Sequence, residues 1–286
     1  MAEVGLVLHQ QRPLVRDVAQ RACDWLEANG HRPRVTTTDA ATLGADGVDD
    51  QEFGVGLDLV LSLGGDGTML RTVALVAEHD VEILGVNIGH LGYLTEVEPD
   101  QVDVALARYF AGDHGIEERM LLSVTTRTGG AGPAAGATVE HALNEAVLEK
   151  TAPGHTVRLG VTIDGDHFTT YAADGLIVAT PTGSTAYAMS ARGPIIDPGH
   201  RALLLTPVSP HMLFDRSLVL EPDTELEITV VDHRVATLTV DGQSAGELRE
   251  GDSITCRASR HSARLVTFGP REFHRILKSK FGLNDR

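Results

Sequence analysis

Two kinds of periodicity predict two fold classes in one chain: a parallel α/β domain of Rossmann-like type, then an all-β domain of sandwich-like type. Up to about Ile116, apolar strand-like runs alternate with residues at helical spacing; beyond it, short strands with period-two alternation follow one another. A third observation is the stretch LVLSLGGDGTMLR (59–71), where an apolar strand stops at three glycines and a helical pattern begins.

The α/β elements come in order. EVGLVLH (3–9) reads as a strand, and Leu14, Val15, Val18, Ala22, Trp25 and Leu26 then recur at helical spacing until Gly30. PRVTTT (33–38) reads as a second strand, and LDLVLSL (57–63) as a third, apolar on both faces as a covered parallel strand is. Leu70, Val73, Ala74 and Ala77 mark a helix, EILGVN (82–87) a fourth strand, and Pro99 opens a helix through Val102, Ala105, Leu106 and Tyr109. In the second part, VRLGVTID (157–164) alternates and meets an Asp164-Gly165 turn before HFTTY, a strong hairpin signal. ELEITVVD (225–232) is expected to pair with VATLTVDG (235–242), and TRTGGAGPAAGA (126–137) to be a loop within this domain. The tail REFHRILKSKF (271–281) carries Phe273, Ile276 and Leu277 at helical spacing, an apolar stripe with which to return to the first domain. The expected boundaries are 1–117 joined by 264–286, and 118–263.

Bulk composition removes several function classes. With 286 residues and a formal net charge of -16, the chain has no basic excess for nucleic acid or anionic lipid. Its two cysteines, Cys23 and Cys256, form no CxxC pair, which argues against a disulfide framework and a thiolate zinc site. The histidines show no HExxH spacing. Neither a secretory signal nor a run of membrane-spanning length is read, so a soluble cytoplasmic protein is expected.

The glycine loop is neither a Walker A sequence, since no GK[ST] follows, nor GxGxxG. Its bland reading is a tight strand-to-helix turn capped by Asp66 or Thr68. Its functional reading is a phosphate cradle, with glycines that let the backbone approach a ligand and adopt positive φ, at the carboxyl end of a parallel strand. Asp66 is then the oddity: a negative charge in an anion site, with no lysine in the helix start. A carboxylate there is useful if it accepts the proton of a hydroxyl attacking the phosphate, with magnesium offsetting the repulsion. Arg71, one helical turn on, is a candidate source of fixed positive charge.

Three further segments, NIGHLGYLTE (87–96), LNEAVLEK (143–150) and DGLIVATPTGSTAYAMSARGPII (174–196), follow GGDGT in that order. Together they closely resemble the NAD kinase family, which moves a phosphoryl group from ATP to the 2′-hydroxyl of the adenosine ribose of NAD. The resemblance implies that Asp66 is the proton acceptor, with Gly67 beside it, and that Gly64, Gly65 and Thr68 shape the triphosphate cradle. It places Arg71 at a basic nucleotide contact and Tyr93 at an aromatic position of the NAD pocket. Asn144 and Glu145 match a pair that hydrogen-bonds adenosine, although strand alternation would point them to opposite faces. Asp174 matches a nucleotide contact often made across a subunit interface. Thr185, Ala186, Tyr187 and Ser190 match the adenine and ribose wall, while His155 and Gln243 match weaker binding positions. One departure is Ser217, where many members have proline after the residue matching Arg216. The resemblance further implies a homodimer or homotetramer, magnesium or another divalent cation carried by ATP with no dedicated protein metal site, and polyphosphate as an open second donor. Two other readings of the loop are a lipid or sugar kinase, disfavoured by the Asn144-Glu145 and 185–190 segments, and a non-catalytic NAD sensor that would tolerate loss of Asp66.

Overall fold

The computed structural model describes residues 1–10, 12–89, 92–129, 137–270 and 272–283. The chain divides into two compact units, Met1–Glu118 with Ser262–Arg286, and Arg119–His261.

The first unit is a parallel sheet with helices. Its elements run β1 (Glu3–Leu8), α1 (Leu14–Ala28), β2 (Arg32–Val35), α2 (Thr37–Leu43), α3 (Asp50–Phe53), β3 (Leu59–Gly64), α4 (Asp66–Val76), β4 (Glu82–Asn87) and α5 (Val102–Phe110). Strand order is β2-β1-β3-β4, parallel at each pairing. All six residues of β3 are buried, as two covered faces require. The threonines of 33–38 misled the strand reading. Only β2 is extended, and Thr36 instead caps α2, its hydroxyl accepting from the Asp39 N–H. A β-branched run favours strand, but Thr-x-x-Asp offers the backbone a local cap that competes with the ladder. The tail helix α7 (Phe273–Lys280) belongs to this unit, with Phe273, Ile276 and Leu277 half-buried.

The second unit is a β-sandwich. Its strands are the distal part of β5 (Gly115–Arg127), then β6 (Ala137–Ala142), β7 (Glu145–Lys150), β8 (Val157–Ile163), β9 (Asp166–Ala173), β10 (Gly175–Ala179), β11 (Leu203–Val208), β12 (Leu218–Leu220), β13 (Leu226–Val230), β14 (Ala236–Val240), β15 (Gln243–Leu248) and the first part of β16 (Ser253–Thr267). A single turn, α6 (Tyr187–Ser190), follows a 3-10 segment at Thr182–Thr185. One antiparallel sheet runs β12-β11-β10-β7-β14-β15. The other places β13 between β16 and β8, with β9 beyond. β16 is long enough to serve both units: its first residues pair with β13, and Arg264 and Leu265 pair in parallel with β4.

The β8–β9 hairpin forms as expected, with Asp164 and Gly165 at φ 50° and 86°. The expected hairpin between 225–232 and 235–242 does not. β13 pairs with β8 and β16, whereas β14 pairs with β7 and β15 in the other sheet. Leu226, Ile228 and Val230 of β13 and Ala236, Leu238 and Val240 of β14 share one buried core. Period-two alternation defines a buried face for each strand; it leaves open whether neighbours in sequence pair edge to edge or pack face to face. Most of the 126–137 loop lies outside the described residues.

Candidate active site

In the first unit the chain leaves β3 at Gly64 and enters α4 at Asp66, with Gly65 as N-cap and no side-chain cap. The opening amides of such a helix are available to an anion. The glycines act through space rather than through left-handed backbone: none of Gly64, Gly65 and Gly67 has positive φ. A Cβ on Gly64 would stand 2.1 Å from the Thr68 hydroxyl oxygen, while one on Gly65 or Gly67 would meet nothing within 4 Å. The first glycine lets the turn close on Thr68; the other two leave the backbone bare on its open side.

Asp66 is held from the far side of a second loop. Its carboxylate accepts the N–H groups of Tyr93 at 3.0 Å and Leu94 at 3.1 Å. Gly92 makes this approach possible, since a Cβ there would lie 2.2 Å from Asp66 Oδ1. The Lys280 ammonium, from the end of α7, sits 3.9 Å from Asp66 Oδ2 and 4.2 Å from the centre of the Tyr93 ring. Burial, then the Asp66 charge, raises the Tyr93 hydroxyl above its ordinary pKa.

Arg71 is held by a buried carboxylate beside the loop. Its guanidinium grips the fully buried Asp39 carboxylate at 2.8 and 3.1 Å and also donates to Thr36 Oγ1 and the Leu8 carbonyl. Asp39 in turn accepts from the Leu8 N–H and Gln10. A buried carboxylate needs such a partner, and Asp39 fixes the Arg71 guanidinium in place while leaving its side chain 27% exposed.

The second unit assembles Asn144, Glu145 and the 182–190 turn. Strand β7 begins only at Glu145, so Asn144 lies in the preceding turn and escapes strict strand alternation. That turn is built on Asp241, whose carboxylate accepts the N–H groups of Leu143 at 2.7 Å, Asn144 at 2.8 Å and Glu145 at 3.0 Å. Asp241 and Gly242, at φ 47° and 77°, make the turn joining β14 to β15. Thr180 closes the other side: its N–H donates to the Asn144 carbonyl and its hydroxyl to the Leu143 carbonyl. Gly183 passes so close that a Cβ would lie 2.1 Å from the Asn144 oxygen. Thr185 and Ala186 follow, their own contacts turned back to Thr182 and Gly183. Tyr187 and Ser190 are exposed on α6.

Glu145 is buried, and its Oε2 has no hydrogen-bond partner among the described residues. Burial, then the neighbouring Asp241 charge, pushes its carboxyl up to about 7, against a smaller downward pull from the Tyr187 N–H. Burial also raises Asp241, with the three N–H groups pulling the other way. Asp174 stands before β10, paired with Lys150 at 2.6 Å; with Glu149 and Glu145 it adds to burial in raising the Tyr187 hydroxyl. His155 and Gln243 are exposed. Ser217 accepts the hydroxyl of buried Thr206 at 3.0 Å, a bond a proline could not make.

Sequence reasoning missed four residues: Gly92, Lys280, Asp241 and Gly183. Asp241-Gly242 was visible as a turn signal, but not its reach to 143–145. Nothing local marks Lys280.

A strand-to-helix glycine loop presenting an aspartate beside uncapped helix amides, on a parallel sheet, has the geometry of a phosphate-binding site. Family comparison narrows it. The ATP-NAD kinase N-terminal domain matches residues 4–114 and the ATP-NAD kinase C-terminal domain residues 143–268. The chain is 42% identical over 283 residues to the NAD kinase of Heliobacterium modesticaldum, covering 98% of each chain. It is 37% identical over 288 residues to that of Geobacter metallireducens, covering 100% of each. Among solved structures, yeast NADH kinase complexed with NADH superposes with a TM-score of 0.90 at 25% identity, covering 100% of this chain and 89% of that one. An Archaeoglobus fulgidus NAD kinase in complex with ATP gives 0.74 at 24% identity, covering 100% of each chain, a likeness of fold. The chain belongs to the ATP-NAD kinase family.

Proposed function

We propose that the protein transfers the terminal phosphoryl group of ATP to the 2′-hydroxyl of the adenosine ribose of NAD, giving NADP. The observation that carries the chemistry is the placement of Asp66: first residue of α4, oriented by two backbone N–H groups, beside glycines whose open side meets no protein atom. Asp66 accepts the hydroxyl proton, and Gly65, Gly67 and Thr68 present backbone to the triphosphate. In the second unit, Asn144 and Glu145 bind the adenosine part of NAD, with Thr185, Ala186, Tyr187 and Ser190 as its wall and Asp174, Gln243 and His155 as outer contacts. The unsatisfied Glu145 Oε2 supports this reading, because a buried polar atom without a partner is matched by a ligand donor.

A divalent cation that arrives with ATP suits this loop, because magnesium is commonly held by phosphates with one or two carboxylates. When bound it neutralises phosphate charge; Asp66 is the carboxylate at the loop that could face it. We further propose a cytoplasmic homo-oligomer. Among the described residues no helix is long and apolar enough to cross a membrane.

The test is a donor-and-acceptor matrix with purified protein: ATP or polyphosphate against NAD, NADH or diacylglycerol, with magnesium, reading NADP, NADPH and phosphatidic acid. NADP from ATP and NAD is expected. Its absence, or phosphorylation of diacylglycerol instead, would overturn the proposal.

A further inference from the structure

The glycine loop lacks the lysine that phosphate cradles usually carry in the following helix, and Arg71 is bound to Asp39. The first unit nevertheless brings a lysine to the loop from more than two hundred positions away in sequence. On α7, Lys280 lies three residues after Leu277, four after Ile276 and seven after Phe273, so it shares their face. The half-buried apolar residues and the ammonium therefore lie along one side of the helix. Tyr93 ties the arrangement together: its N–H holds the Asp66 carboxylate, and its ring lies 4.2 Å from the Lys280 nitrogen.

The pair is a poor stabilising device. At 3.9 Å, with side chains 26% and 35% exposed, it is a loose, solvent-screened contact of the kind that contributes little to folding. It suits a ligand site better. Lysine is a compact charge with three donors on a flexible stem, able to turn from a carboxylate to a phosphate oxygen. At 3.9 Å the ammonium is too far from Asp66 Oδ2 for a hydrogen bond, so its donors can turn to a phosphate oxygen.

We infer that Lys280 is the cation of this phosphate loop: it binds the transferring phosphoryl group and offsets the repulsion between that group and Asp66. This rests on the reading of Asp66 as the residue that faces the acceptor hydroxyl at the same loop.

The test compares Lys280→Met, Lys280→Arg and Asp66→Asn in the full chain, with ATP and NAD varied separately and thermal unfolding recorded. For Lys280→Met the expected result is a fall in kcat/KM for ATP of at least tenfold, with the KM for NAD within about twofold and an unchanged Tm. Lys280→Arg is expected to recover most of the loss, because the charge is restored. An unchanged kcat/KM for ATP in Lys280→Met overturns the inference. So does a loss that arginine leaves unrepaired and that comes with a lowered Tm, the mark of a packing role. Full turnover in Asp66→Asn would instead remove Asp66 from the chemistry, and a charge-dependent ATP defect in Lys280→Met would still stand as a phosphate contact.

Discussion

Asp66 and Asp241 are both aspartates that gather backbone N–H groups, and they end in opposite situations. Asp66 accepts two, from Tyr93 and Leu94, and keeps a side chain 35% exposed with an ammonium nearby. Asp241 accepts three, from 143–145, and stands beside a second buried carboxyl, Glu145. The first carboxylate is oriented and left available; the second is consumed in holding a turn. Hydrogen bonds to backbone therefore do not by themselves distinguish a reactive acid from a structural one. The remaining open surface and the nearest charge do.

Three measurements break or sharpen that contrast. The largest effect is expected at Asp66: Asp66→Asn should lower turnover by roughly 10²-fold or more, the scale of losing a general base, while NAD affinity stays within several-fold. Equal turnover in steady-state assays would make the two aspartates alike as structural residues. Next comes Asp241→Ala, which strands three amides. Urea unfolding should show a loss of about 2 kcal/mol, and the KM for NAD should rise as the Asn144 turn loosens. A variant as stable as the parent would mean that the turn holds without its anchor.

The third measurement concerns Glu145, whose effect appears only as pH changes. Its folded pKa of about 7 lies above the ordinary 4.5, so between those values the folded protein holds a proton that the unfolded chain has released. The stabilisation is fully present below about pH 4.5 and is lost as pH rises towards 7. Unfolding at intervals across this window should show a decline of roughly 3 kcal/mol at most, and Glu145→Gln, which has no proton to lose, should remove it. Identical slopes in both proteins would place the Glu145 carboxyl in water rather than in the buried turn.

Legibility in the sequence followed the range of the interactions. The β3 strand, the helix of α4 and the Asp164-Gly165 hairpin rest on neighbours a few residues apart, and each is present. The threonine run at 33–38 failed because two local options, ladder and cap, were both open to Thr36. The expected pairing of 225–232 with 235–242 failed because alternation specifies a buried face but no partner. Site residues divided likewise. GGDGT and the Asn144-Glu145 pair stood out as motifs, whereas the anchors beneath them, Gly92, Gly183 and Asp241, act on groups 26 to 98 positions away.

By itself the sequence determined the two periodicities, the glycine turn with its aspartate, and the motif order that marks the family, because each is written in local spacing and residue type. Only the tertiary structure decided which charge meets which. It turned Arg71 inward, since a buried Asp39 without a cation would be costly. It also carried Lys280, the last residue of α7, to Asp66 within the same unit. Charge pairing across such separations depends on where packed elements end, which residue spacing does not encode.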